Sequence, residues 1–229
     1  MKVRNQYNLL ANLFRYPKDD YADNVNETAT MLKENYPEAY KEIKPFVDIV
    51  NSNTLFETEE IFGQTFHIQA ICFLDLGYVL FGEDYKRGAF LVQMKNEQRI
   101  ANNDCGEELA DNLPNVLKLM MLIEDQEFLE EMAVRVVIRA MKKMLEDFDI
   151  SRISLKQKVM KKKQKVIILE DLKNKNIYQH AIQATLNVLQ SDFKGITYND
   201  DDDEKRDLAA QFLANCGTCS TNQKPVKTN

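Results

Sequence analysis

Turn-forming residues are scarce along this chain, and that scarcity limits its architecture more than any other feature. Seven glycines and five prolines serve 229 residues. A many-stranded β architecture needs such residues at short intervals to close its hairpins. Helices do not, and the apolar residues here recur at three- and four-residue spacing, the period of one buried helix face. The chain is therefore expected to be all-α, a single-domain helical bundle over residues 1–195 followed by a polar tail over 196–229. Its 26.6 kDa can enclose one sizeable core. A hydrophobic content of 44% argues against wholesale disorder.

Periodicity assigns the segments in turn. Val3 to Tyr16 sets Tyr7, Leu10, Ala11 and Phe14 on one face, and Pro17 ends it. Tyr21 to Asn35 follows with Val25, Thr28, Ala29 and Leu32 as its inner stripe. Tyr36-Pro37 opens a third helix carrying Tyr40, Ile43 and Val47 in phase, with Pro45 as the point of a kink or restart. Thr54 stands at an N-cap position and Glu57 completes a capping box for a helix running to Gly63. Ile71 to Phe81 reads as an apolar helix with Asp75 its only charge, and Gly82 breaks it. Glu83 and Asp84 place negative charge where the exposed N–H groups of a new helix would lie. Lys86 and Arg87 come one turn on, Gly88 leaves bare backbone beside them, and the amphipathic pattern continues to Ile100.

A turn-rich segment, Asn102 to Gly106, leads to Pro114, which suits the first turn of a helix over 112–123. That helix is apolar nearly all round and is expected to be buried. The longest regular helix is expected from Asp125 or Gln126 to Phe148, with Val134, Val137, Ile138, Met141, Met144, Leu145 and Phe148 as its stripe. Residues 150–175 are rich in Lys and Arg, and Asn176 to Phe193 returns to a helix with Ile182, Leu186, Leu189 and Phe193 in phase.

Three segments of this layout carry a family likeness. Phe81-Gly82-Glu83-Asp84-Tyr85-Lys86-Arg87-Gly88 resembles the signature of the nitrate reductase delta-subunit (NarJ) chaperones and their TorD-like relatives. Glu108-Leu109-Ala110-Asp111-Asn112-Leu113-Pro114 resembles the same family's E-L-P-D-H-L-P motif, with Ala110 for the first proline and Asn112 for the histidine. Leu9 to Pro17 resembles the family's opening LL-x-x-L-x-x-YP. The likeness covers roughly Leu9 to Ile123. It implies an all-helical cytoplasmic chaperone of the TorD-like type. Such a protein binds the N-terminal peptide of the apo catalytic subunit of a molybdenum oxidoreductase and assists insertion of the molybdenum cofactor and assembly. The implied chaperone holds no cofactor or metal, performs no chemistry, and is a monomer or a helix-swapped dimer. By position, the motif residues are Tyr78, Phe81, Gly82, Glu83, Lys86, Arg87, Gly88, Leu109, Asp111, Leu113 and Pro114.

Asp75 joins that set from its own surroundings. A carboxylate on an otherwise apolar helix must be paired, protonated or aimed at a groove. Pairing with Lys86 or Arg87 is the preferred reading, and an acidic contact in a peptide-binding groove is the second. The groove would lie between the helix of 71–81 and the helices starting at 83 and 114. Met94, Met120, Met121, Met132, Met141 and Met144 are read mainly as core rather than as a groove lining.

Nothing in the chain assembles a catalytic set. His67 and His180 have no Ser, Cys or Asp in triad order nearby. Neither phosphate-binding glycine motif occurs. Cys216-Gly217-Thr218-Cys219 is a C-x-x-C pair, but it sits in a polar stretch without the strand and helix of a redox motif, and it reads as an exposed dithiol. Asp200 to Glu204 lacks the alternating ligands of a calcium loop. A net charge of −6 disfavours a general nucleic-acid binder. No apolar run is long enough to span a membrane, no secretory signal follows Lys2 and Arg4, and four cysteines then suit a reducing, cytoplasmic setting. The alternative to a chaperone is a helical regulatory or scaffold protein that binds nucleic acid or an acidic partner through basic residues 152–165.

Overall fold

The structure, a computed structural model, describes residues 4–68, 70–148 and 177–198. Its elements are α1 (Asn5–Asn12), α2 (Tyr21–Asn35), α3 (Pro37–Ser52), α4 (Leu55–Phe66), α5 (Leu76–Phe81), α6 (Lys86–Ile100), α7 (Leu113–Leu122), α8 (Gln126–Glu131), a π-helical segment (Met132–Ile138), α9 (Arg139–Asp147) and α10 (Ile177–Asp192). Among the described residues there is no sheet, only one isolated β-bridge between Asp75 and Asn112. The protein is all-α, as its composition and periodicity predict.

Each helix turns its apolar stripe toward one shared core. The last helix in the chain, α10, packs on α3 and α9; α1 packs on α7 and α2; α5 packs on α6 and α9. At the centre, the buried ring of Tyr178 meets Phe46, Phe62 and Phe66 edge-on at centroid distances of 5.0, 5.7 and 4.8 Å. Such edge-to-face contacts add to the gain from burial. Tyr21 donates to Leu13 O at 2.7 Å, so its hydroxyl oxygen is left to accept from Tyr178 at 3.0 Å. Burial pushes both phenols upward from their ordinary pKa, which keeps them neutral hydrogen-bonding groups. A second clamp closes the bundle at Asp192. Its carboxylate accepts from Tyr7 at 2.9 Å, Gln6 at 3.2 Å and Tyr36 at 2.8 Å, joining the end of α10 to the first third of the chain.

The local signals hold in most places. Thr54 and Glu57 form the capping box at the start of α4. Asp84 Oδ1 accepts from Lys86 N at 2.9 Å at the start of α6. Met94, Met120, Met132, Met141 and Met144 are fully buried. Four expectations need correction. The first helix stops at Asn12 and continues as turns. Pro45 neither breaks nor restarts α3, because it lies on the exposed side, where the missing N–H strands no buried carbonyl. Residues 71–75 are not helical: Leu74 and Asn112 lie on paired backbone, and Asp75 is the N-cap of a short α5. The helix expected from 126 to 148 is not regular. It widens into a π segment over Met132–Ile138, a stretch with four β-branched residues that crowd an α-helical turn, and Val134 is only partly buried. The lysine-rich residues 152–165, Cys216, Cys219 and residues 199–229 of the polar tail lie outside the described residues.

The core predicts a graded response to truncation. Phe46→Ala should cost about 3 to 5 kcal/mol, as expected for a fully buried phenylalanine. Tyr178→Phe, which removes only a hydroxyl, should cost about 1 kcal/mol. Urea unfolding checks the order through the midpoints, with the slope unchanged.

Candidate functional site

The motif-bearing segments meet at a corner built on backbone contact. Leu76 N donates to Asp111 O at 3.0 Å and Leu113 N donates to Leu74 O at 2.9 Å, so the start of α5 and the start of α7 lie side by side. Gly77 N donates to the Asp111 carboxylate at 2.9 Å. The approach is close enough to demand glycine. A Cβ at residue 77 would lie 2.7 Å from Asp111 Oδ2 and 2.9 Å from Phe90 Cδ1. Gly82 meets a different demand, ending α5 at φ 62° and ψ −133°, a region that side-chain-bearing residues avoid.

Amide side chains hold the connecting loop in place. Gln98 of α6 donates to Ala110 O at 2.8 Å, and Asn103 donates to Gln98 Oε1 at 2.6 Å and Asn115 O at 3.1 Å. Asn115 of α7 donates to Leu109 O at 3.0 Å and Cys105 O at 3.3 Å. A buried loop carbonyl left without a donor would be costly, and these amides supply the donors.

Charge is concentrated beside this network. Asn112 donates to Asp75 Oδ1 at 3.1 Å, and Arg87 Nη2 stands 3.8 Å from Asp75 Oδ2. The Arg87 guanidinium also lies over the Tyr78 ring at 5.1 Å, and Tyr78 meets Phe73 edge-on at 4.5 Å. Asp111 is fully buried, and its Oδ1 has no hydrogen-bond partner among the described residues. Burial pushes its carboxyl above the ordinary range; the Gly77 N–H pulls the other way, and Asp75 adds to the rise.

Asp75 and Asn112 also line a cleft of about 240 Å³. Its other walls are Phe14, Arg15 and Tyr16 after α1, Phe62, Phe66 and His67 at the end of α4, Phe73 and Leu74, and Glu108 and Pro114. Among the described residues the lining is aromatic and charged, with the carboxylates of Asp75 and Glu108 and the guanidinium of Arg15. Tyr16 and Phe73 are 50% and 38% exposed, so apolar surface is presented to solvent here. Tyr16 is held in place by an edge-on contact with Phe62 at 5.5 Å.

Between α5, α6 and α7 the expected groove is filled, while its edge at Phe73, Leu74, Asp75, Asn112 and Pro114 lines the cleft. Gly77, Phe90 and Asp111 pack into the groove, and Phe81 meets Phe90 at 5.5 Å. The cleft opens toward α1 and α4. Of the residues singled out in the sequence, Asp75 and Pro114 line it, and Arg87 reaches it through Asp75. Tyr78 stands behind Phe73. Asp111 and Leu113 are buried structural residues of the corner, Phe81 and Gly82 close α5, and Glu83, Gly88 and Leu109 are exposed away from the lining. Lys86 is the first residue of α6 and is partly exposed. Arg15, Tyr16, Phe62, Phe66, His67, Phe73 and Glu108 were not singled out. Tyr16 and Glu108 belong to two of the motif segments, which is the one signal that pointed to them.

The chain matches no family model, no curated protein and no solved structure. Among the described residues, no three His, Cys, Asp or Glu side chains group as a metal site, and no helix is long and apolar enough to cross a membrane. The cleft offers an aromatic floor, fixed walls and charged side chains.

Two measurements probe the corner. Gly77→Ala should cost about 1 to 3 kcal/mol by forcing Asp111 and Phe90 apart. Gly63→Ala, at a helical site with open space around it, should instead stabilise by up to about 1 kcal/mol. Because the folded Asp111 pKa is raised, its contribution to stability is intact below the unfolded value of about 3.9 and is lost as pH climbs through the folded value. Asp111→Asn does not titrate there, so its stability relative to the native chain should improve steadily from acid to neutral pH in urea unfolding.

Proposed function

We propose that this protein is an assembly chaperone of the NarJ and TorD-like kind, acting on the apo catalytic subunit of a molybdenum oxidoreductase. In this reading it works in the cytoplasm, holds the subunit by its N-terminal peptide, and keeps it open for insertion of the molybdenum cofactor and assembly. It performs no chemistry itself. The observation that carries the proposal is convergence: the three segments that resemble the family's motifs, far apart in sequence, contribute to or abut one cleft. Tyr16 comes from the first segment, Arg87 reaches the cleft through Asp75 from the second, and Glu108 and Pro114 come from the third.

The lining suits a peptide carrying an apolar side chain next to a basic one. The rings of Tyr16, Phe62 and Phe73 would accept the first, and Asp75 with Glu108 would attract the second. Contacts of this kind give modest affinity, which lets a client leave once its own folding competes for the same segment. The second reading, nucleic acid or an acidic partner bound through residues 152–165, draws support from nothing in the described residues.

The test is retention of partners by the tagged protein in its native cells, identified by mass spectrometry. A large molybdoenzyme subunit, poor in cofactor, is expected. A synthetic peptide of that subunit's N-terminus should then bind, and Tyr16→Ala or Phe73→Ala should each weaken it about tenfold or more with helicity unchanged. Neutralising both carboxylates, Asp75→Asn with Glu108→Gln, should also weaken it, because the basic side chain loses its attraction. Recovery of nucleic acid, or peptide affinity indifferent to all of these changes, would remove the proposal.

A further inference from the structure

We infer that the outer face of α6 is where two copies of this chain meet, antiparallel, about a twofold axis at Val92. The inner side of α6 is committed to the fold through Phe90, Gln93, Met94 and Gln98, all buried. The outer side is not. Tyr85, just before the helix, is 79% exposed, Val92 is 69% exposed and Ile100 is 48% exposed, and their spacing sets them on one stripe. Gly88 lies along that stripe, and a Cβ there would meet nothing within 4 Å. Glycine inside a helix is unfavourable, and no neighbour among the described residues requires it at this position. Bare backbone is what a second helix needs in order to approach closely.

The charges along the stripe name the partner. Glu83 and Asp84 stand at the N-terminal end of α6, and Lys95 and Arg99 stand near its C-terminal end, all four exposed. Two copies side by side in parallel would set like charges together. Two antiparallel copies set acid against base at both ends, which is the self-complementarity that a twofold interface demands. The register follows from Val92. Tyr85 and Arg99 lie two turns from it in opposite directions, so pairing centred on Val92 lays each Tyr85 ring against the Arg99 guanidinium of the second copy. No helix is exchanged in this arrangement. Arg87 is turned away toward Asp75 and Tyr78, so the cleft stays open and the pairing does not rest on the chaperone reading.

Sedimentation equilibrium of the full chain, without any client, tests this directly. The contact is small, so a reversible dimer of the 26.6 kDa chain is expected with a dissociation constant of roughly 10 to 100 µM. Val92→Glu and Arg99→Glu should each weaken it about tenfold or more, with circular dichroism unchanged. Joining Tyr85→Arg to Arg99→Glu should recover most of the loss, because in this register residues 85 and 99 of the two copies face each other and the exchanged pair attracts across the twofold. A chain that stays monomeric well above that concentration overturns the inference. So does a dimer indifferent to Val92→Glu, or one that the double exchange fails to rescue.

Discussion

The carboxylate of Asp111 sits inside the protein against the N–H of Gly77, at 2.9 Å, and the shape of the whole corner depends on that contact. It draws the beginnings of α5 and α7 together tightly enough that no side chain fits at residue 77. Phe90 then fills the remaining space, which fixes how α6 lies. Asn112, the next residue, is brought alongside Asp75, and Arg87 closes on the same carboxylate. A buried acid is an expensive way to hold two loops, since burial opposes its charge. The compensation is geometric: the surrounding amides tie the loop's carbonyls into one arrangement, although Asp111 Oδ1 and Asn103 Oδ1 find no partner among the described residues.

Rigidity at the corner matters for the cleft beside it. Apolar rings exposed to water tend to fold back onto the nearest apolar surface. Here Tyr16 and Phe73 are each held edge-on by another ring, Phe62 and Tyr78, and remain partly exposed. The walls come from four separated stretches of chain, so the recess exists only when the fold is complete.

Much of this was readable before any coordinates. Helix type and order follow from spacing, because a buried stripe at helical period has few other uses. The Thr54–Glu57 box and the Asp84 start are local devices whose partners lie within a turn. What could not be read depends on partners far away. Ile71 to Leu74 are apolar enough for helix, yet the backbone of Leu74 is taken by Leu113. The spacing of Val134 suits a regular helix, but the π turns rotate it partly out of the core. Tyr16 and Phe73 look like core residues by composition, and only the packing around them leaves them at the surface. Asp111 was singled out for recognition and turns out to be a structural acid, because its burial arises from an approach between segments that the sequence keeps apart.

The clamp at Asp192 has a consequence for how the protein folds. Its partners Gln6, Tyr7 and Tyr36 lie 156 to 186 residues before it in the chain. The clamp therefore forms only once all of the intervening chain is available to bring α10 back to α1 and α3. Closing so large a loop costs chain entropy before any contact repays it, which slows folding relative to bundles that pair neighbours in sequence. Until α10 docks, Phe46, Phe62 and Phe66 of α3 and α4 lack the Tyr178 ring that they meet edge-on in the finished core, so the aromatic centre of the bundle is completed last.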